Sequence, residues 1–572
     1  MNSKTPQFNK ALDAILDPLV PHERTCKKCG ESFKIESEDI NFFRMLRVPP
    51  PLLCPRCRIR TRRAFTNYTT FFKKKCDAPG HDEILISQIP EGGPSPVFDF
   101  DYYWNGDWNP MNYGKEFSAG KSFFEQFDEL RKQVPQAANT GDPMSVDSEY
   151  AAYGVQLKNC YYVFGGMNAE NVQYGNWPMY SRDDVDVLVS WSSDKCFDIV
   201  HVKDCYHCFF TYFSKYCLES AFLYDCRNCE HCFGCVNLRN KKYNFFNMQL
   251  SEEEYGRKMG EINLGNASEL EHWKDKFLEL LRESPKRISL NEQSVRSSGN
   301  LLENCKNCYR CFFVVGGENL RYDDFQLAAK DSMDVFLGTK PEKCYFTVSP
   351  YDGFEIKFSS MLRGQCHNLE YSMNMRSCDN CFGCIGLTNK KFCILNVQYS
   401  EDEYWRKLDE IKTAMLKGHE YGEFFPIKFS PFPYNSSLAQ LSNPLSEEGA
   451  KREGIWYVVG EHSEFLGKIV DSATVGDIRE VSDDILDSAL TSRGTGRLFR
   501  LTKAELAFYK KEHIAIPEFH PEERLKLRFG WLNNLVLEEL PCSLCGTPVI
   551  GMPPQGMREH VVCDECHKKI II

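Results

Sequence analysis

With 572 residues, of which 42% are apolar and 26% charged, the chain is long enough for about three to five folding units and is not a small disulfide-stapled scaffold. Its 69 basic and 80 acidic side chains leave a net charge of −11, which excludes a surface that coats nucleic acid throughout but leaves room for a local basic patch. No stretch approaches the ~18 apolar residues of a membrane span. The opening MNSKTPQFNKALDAIL lacks the basic and apolar regions of a secretory signal, so a cytoplasmic protein is expected, with its 27 cysteines serving as metal ligands or reduced thiols.

The first predicted element is a zinc ribbon in residues 1–75. Cys26 and Cys29 form one CxxC pair and Cys54 and Cys57 a second. Two such knuckles supply four thiolates to a tetrahedron at ~2.3 Å, and four protein ligands leave no position for a reactive water, so the site is structural. Gly30 follows the first knuckle, where a positive φ is often required. The second knuckle opens a run with no acid from Cys54 to Lys75: Arg56, Arg58, Arg60, Arg62, Arg63, Lys73, Lys74 and Lys75. Phe65, Tyr68, Phe71 and Phe72 lie between its two clusters. Cations interleaved with rings suit single-stranded nucleic acid, guanidinium on phosphate and ring on base. The same charges would equally satisfy the protein's own surplus carboxylates, with the rings as core. Residues 76–140 read as a degenerate second ribbon, retaining Cys76 and His81, followed by a helix at FFEQFDEL.

Residues 141–265 and 300–415 are copies. Cys232 to Ile262 aligns without gaps on Cys381 to Ile411, with 18 of 31 positions identical. At offsets near 148 to 151, Cys229 falls on Cys378, Cys217 on Cys366, Cys196 on Cys344 and Cys160 on Cys311. Short apolar segments recur in each copy at a nearly constant step, beginning near Val185, Phe197, Cys208, Ala221 and Cys232 in the first. The step is too short for helices and right for one short strand plus one turn. A parallel β-solenoid accounts for it, with a sandwich or meander as the alternative. Each copy closes on a capping box, Ser251-x-x-Glu254 and Ser400-x-x-Glu403. The central cysteines admit three readings: small apolar residues stacked in tight turns, an additional metal site using Cys229, Cys232 and Cys235 with His231 or His207 (Cys378, Cys381 and Cys384 being the counterparts in the other copy), or an iron–sulfur cluster, whose loop spacing they match poorly.

Between the copies (266–299), Ser268-x-x-Glu271 opens a helical arm striped with Leu270, Trp273, Phe277, Leu280 and Leu281, and a linker follows. A second linker (416–454) precedes a mixed α/β unit (455–540) with a strand-like IWYVV at Ile455 and a helix opened by Thr502-x-x-Glu505. The chain finishes in a second zinc ribbon (541–572), in which the pair Cys542 and Cys545 is followed, at the separation usual for such sites, by Cys563 and Cys566. Its charges balance, which suits contact with protein better than with phosphate.

The N-terminal CKKCG, Phe33, Phe42, Phe43, the prolines from Pro49 to Pro51 and LLCPRCRIRTRRAF resemble a zinc-ribbon domain family found in many bacteria. With FFEQFDEL, the CFGC segments, LTKAELAFYKKEHIAIPEFHPEER and CDEC, the order of parts resembles large uncharacterised cysteine-rich proteins of uncultivated bacterial lineages. The resemblance implies zinc binding and brings no activity. Nor does an enzyme emerge from the residues: phosphate-binding, nucleophile-elbow and zincin motifs are missing and the 13 histidines form no spaced set. Asp183, Asp184 and Asp186, with Asp331 and Asp334, are the carboxylates available to a polysaccharide-cleaving site, and Asp186 aligns with Asp334. The expectation is a β-rich multidomain protein with no catalytic residues and two structural Zn2+ ions. It binds RNA or a ribonucleoprotein through the basic ribbon, or, alternatively, acts as a protein-assembly scaffold that engages a protein partner through the C-terminal ribbon. An iron–sulfur redox protein or a polysaccharide-active enzyme ranks below both, and no membrane partner is expected.

Overall fold

The computed structural model describes residues 4–459 and 465–571. The chain divides into two compact units, each discontinuous in sequence. Met1–Asn67, Phe71–Asn139 and Ser289–Val458 form the unit that holds the second copy. Tyr68–Thr70, Thr140–Ile288 and Val459–Ile572 form the unit that holds the first. Among the described residues, no helix is long and apolar enough to cross a membrane.

The protein is β-rich, and its largest sheet has ten strands in chain order, from Ala151–Ala152 to Met248–Gln249. All neighbours pair in parallel except the last two. An antiparallel meander is therefore not the arrangement. Register advances by the same step from strand to strand, as in Val185↔Phe197↔Phe209↔Ala221↔Phe233↔Phe245.

The backbone reaches this register by turning at every third residue. Asp204, His207, Phe210, Phe213, Tyr216, Glu219, Phe222, Asp225, Asn228 and His231 all have φ between 45° and 57°. A left-handed conformation costs a non-glycine residue about 1–2 kcal/mol. Pairing between successive strands offsets that cost: Arg227 N–H donates to Leu238 O at 2.9 Å and Asn228 N–H to Lys215 O at 3.0 Å, so each turn's polar groups are met by the next. Turning so often leaves a narrow interior. Every third residue faces it, and those positions hold Cys217, Ser220, Leu223, Cys226, Cys229, Cys232 and Cys235, none more than 4% exposed. Unbranched thiols and aliphatic side chains up to the size of leucine fill this interior, and among the described residues no aromatic ring belongs to its buried cluster.

The second copy repeats the parallel register, for example Phe312↔Asp324↔Phe336↔Val348↔Ser360. At Phe354↔His367 and Lys357↔Glu370 the step is longer by one, which explains why the offset between copies grows from 148 at Cys344 to 149 at Cys366. Register also corrects one alignment. Cys308 pairs with Leu320, and Leu320 with Ser332, whose hydroxyl takes the N–H of Cys344, so the counterpart of Cys160 is Cys308 rather than Cys311.

Helices follow the cap signals closely. The capping boxes at Ser251, Ser400 and Thr502 start Glu252–Gly260, Glu401–Lys417 and Lys503–Glu512. FFEQFDEL lies in Phe123–Gln133. The arm Ala267–Glu283 starts two residues earlier than expected, because Asn266 rather than Ser268 caps it through the N–H groups of Ser268 and Glu269. Residues 455–459 form no strand: the Asn435 side-chain amide satisfies both the N–H and C=O of Val458, replacing a sheet partner.

Candidate metal centres and buried arginine pairs

The four sulfurs of Cys26, Cys29, Cys54 and Cys57 lie within 4.8 Å of one another, as do those of Cys542, Cys545, Cys563 and Cys566. The two sites are built alike. In the first, His22–Thr25 pairs antiparallel with Ser32–Ile35, Cys26 N–H donates to Glu31 O at 2.8 Å, and Gly30 N–H returns to Cys26 O at 3.0 Å. In the second, Glu538–Pro541 pairs with Pro548–Gly551, Cys542 N–H donates to Thr547 O at 2.9 Å, and Gly546 N–H returns to Cys542 O at 2.9 Å. Gly30 and Gly546 have φ of 76° and 75° with open space where a Cβ would stand, so these knuckles favour glycine through the backbone angle alone.

The second pair of each set sits at a helix start. Cys54 caps Pro55–Ala64 and Cys563 caps Asp564–Ile570, which aims helix N–H groups and the positive dipole end at the sulfurs. Cys54 and Cys563 also donate their own N–H to the sulfurs of Cys26 and Cys542, at 3.3 Å each. Cys57's thiol lowers Cys54 to about 5. Burial works against ionisation of Cys542, but N–H groups of Cys563, Cys545 and Leu544 bring it down to about 6. An all-thiolate donor set of this size fits a single tetrahedral metal ion, closed to water by its four ligands.

The basic run behaves differently from its composition. Arg58, Arg62 and Arg63 lie on Pro55–Ala64 and are 1%, 0% and 2% exposed. Arg58 Nε contacts Asp334 Oδ2 at 2.6 Å, Arg62 reaches Asp334 Oδ1 at 3.4 Å, and Arg63 donates to Asp324 at 3.0 Å. Burial opposes the charge of Arg58, yet Asp334 holds its pKa above the ordinary arginine range. Arg60 bonds Tyr434 and Glu453, and Arg56 bonds Glu31 near the surface. Lys74 is buried against Asp77, exposed Lys75 pairs with Asp82, and Lys73 is exposed. Phe65 is buried edge-on to Phe424. Tyr68 is buried and stacks on Tyr153 at 4.4 Å. Phe71 and Phe72 are partly buried. The eight cations therefore do not form one phosphate-facing surface: the middle of the run is interior, because carboxylates hundreds of residues away in sequence reach it.

The other unit contains the same device. On Pro521–Gly530, Arg524 and Arg528 each contact Asp186 at 2.6 Å. Arg528 donates to Tyr174 O at 3.1 Å as Arg62 does to Tyr322 O at 2.9 Å. Arg524 lies over the Tyr174 ring at 4.5 Å and Arg58 over Tyr322 at 5.2 Å. Asp186 and Asp334, like Tyr174 and Tyr322, are separated by the offset of the copies. Both helices read Pro-x-x-Arg-x-x-x-Arg, at Pro55 and at Pro521. The i, i+4 spacing puts both guanidinium groups on one helix face, and a proline at N1 starts the helix. Sequence analysis missed this match, although the pattern and the aligned aspartates were both present. Glu505 adds a further carboxylate to Arg524 at 2.9 Å; burial raises its own pKa and Arg524 counters that.

These contacts also place the other candidate acids. Asp183 and Asp331, separated by the same offset, accept from Asn171 and Asn319 at 2.7 Å each, which gives them roles in turns. Asp184 is interior, accepting from Ser193 Oγ and from Cys196 N–H at 2.8 Å, and burial raises its pKa to about 8. A proton held in the folded state but not in the unfolded state stabilises fully below about pH 4, and this contribution falls as pH rises and is gone above about pH 8. Asp184→Asn is expected to remove that slope: its urea midpoint should match wild type near pH 4 and exceed it at pH 8.

Cys229, Cys232, Cys235, Cys378, Cys381 and Cys384 are no more than 1% exposed. Each thiol donates to the carbonyl two residues before it, at 3.3–3.5 Å. None belongs to a group of three or more clustered metal-ligating side chains among the described residues. Their C-x2-C-x2-C spacing is the three-residue period of the inward face. His567, beyond bordering the last knuckle, is buried 3.5 Å from Asp225, and burial lowers its pKa to about 4.

In comparisons with known proteins, no family model and no curated protein matches this chain.

Proposed function

We propose that this protein is a non-enzymatic assembly scaffold in which two parallel β-solenoids, coiled in four three-residue sides, are each tied to a helix and a zinc ribbon. Zinc is the ion that an all-thiolate, tetrahedral, water-free site suits best. The observation that carries the reading is the repeated aspartate–arginine pair, which uses buried arginines to join the chain's own parts. The C-terminal ribbon supports contact with a protein partner: Arg558 pairs with Glu538 and Lys568 with Glu565, while Leu544 stands exposed on the knuckle.

Of the eight cations in the basic run, Arg56, Lys73 and Lys75 are the exposed ones on which RNA binding could draw, and two of them are paired with acids. Titration of the full chain into labelled single-stranded RNA at about 50 mM salt separates the readings. The scaffold reading predicts no saturable binding. Binding that weakens steeply toward about 200 mM would instead restore the RNA role. Isolation from the native cell after nuclease treatment should still recover a reproducible set of proteins; their release by nuclease would contradict the scaffold.

A further inference from the structure

We infer a third metal site, distinct from the two tetrathiolate centres, formed by Cys76, His81 and Glu83. Their ligand atoms lie within 4.8 Å of one another. All three come from one short connection between the paired strands Phe72–Lys75 and Ile84–Ser87, so the hairpin brings them together before any ion arrives. Cys76 N–H donates to Glu83 O at 3.1 Å, closing the loop at its base. Asp77 pins the loop to the neighbouring segment: its N–H donates to Val97 O at 2.9 Å and its carboxylate accepts from Val97 N–H at 2.8 Å. Gly80, with φ 81°, turns the chain so that His81 points back, and the Tyr102 ring supports the imidazole at 4.4 Å.

The donor set tells which ion fits. Cys76 is 3% exposed, and its sulfur receives the Asp99 N–H at 3.4 Å. His81 Nδ1 lies 2.8 Å from Glu83 Oε1 on the solvent side. One sulfur, one imidazole and one carboxylate select a borderline divalent cation of the zinc class over calcium or magnesium, which take oxygen ligands. Three protein ligands leave one position to solvent. This site therefore exchanges its ion readily, where the closed tetrathiolate centres do not.

Metal analysis of the full, reduced chain after zinc saturation tests the assignment. Wild type is expected to hold three zinc ions, falling to two after dialysis against a weak chelator. His81→Ala and Glu83→Gln alter side chains outside the core, so both should keep the wild-type circular dichroism and bind two ions throughout. Cys76→Ser should also bind two. Equal zinc content in wild type and His81→Ala, whether two or three, would overturn the site.

Discussion

Asp186→Ala and Asp334→Ala are expected to be among the most damaging single substitutions in the protein, each costing its unit about 3–5 kcal/mol. Removing either carboxylate takes the shared counter-charge from two buried guanidinium groups; of the four, Arg524 alone keeps a second carboxylate named above, Glu505 at 2.9 Å. For Arg528 the loss removes a 2.6 Å contact, and its remaining bond to Tyr174 O cannot neutralise the charge. Arg58 likewise keeps only Leu53 O, at 2.8 Å, among the hydrogen-bond acceptors described for it. Truncating one partner of such a pair costs far more than replacing the whole set by matched apolar groups. Asp186→Leu combined with Arg524→Met, Arg528→Met and Glu505→Gln, which leaves no buried carboxylate without its cation, should therefore recover a substantial part of the stability lost in Asp186→Ala. Urea unfolding read from probes within the affected unit measures this. An Asp186→Ala midpoint within error of wild type would show that the pair does not hold the helix.

Loss of metal should have unequal consequences in the two units. In one, Cys54 caps the arginine helix Pro55–Ala64 itself, so releasing the ion frees the cap of the helix that carries Arg58 and Arg62. In the other, Cys563 caps a separate helix, Asp564–Ile570, while His520 caps Pro521–Gly530. Structural zinc contributes about 10–16 kcal/mol of apparent binding free energy at neutral pH, and strands of four residues have little core to replace it. Cys26→Ser is expected to raise amide exchange across residues 22–64 by at least tenfold, including Pro55–Ala64. Cys542→Ser should do so across residues 538–570 and leave Pro521–Gly530 protected. Equal loss of protection in both arginine helices would refute the asymmetry.

Much of this was legible because it is local. A CxxC-Gly knuckle fixes sulfur positions within five residues, and a capping box within four, so spacing alone located the two four-sulfur groups that could hold a metal ion and three helix starts. The strand step was legible as well, since a constant register leaves an imprint on apolar spacing. What composition hid was non-local. Nothing near Arg58 announces Asp334, so a run of cations resembled a phosphate-binding surface when its centre lies inside the fold. Turns were hidden for another reason. Val189, His201, Phe210 and Phe222 adopt left-handed angles that turn rules assign to glycine or asparagine, because inter-strand hydrogen bonds override residue preference. That triplet geometry also accounts for the C-x2-C-x2-C spacing of the central cysteines.

Residue-resolved alkylation of the reduced chain, read by mass spectrometry with and without a strong chelator, tests the central claim most directly. Cys29 and Cys545 are exposed thiols and would react at once if they bound nothing. The account predicts that both resist labelling together with their six partners, that all eight react once the ion is withdrawn, and that the central cysteines stay unlabelled until denaturant is added. Rapid labelling of Cys29 and Cys545 before chelation, at the rate seen after it, would contradict the account.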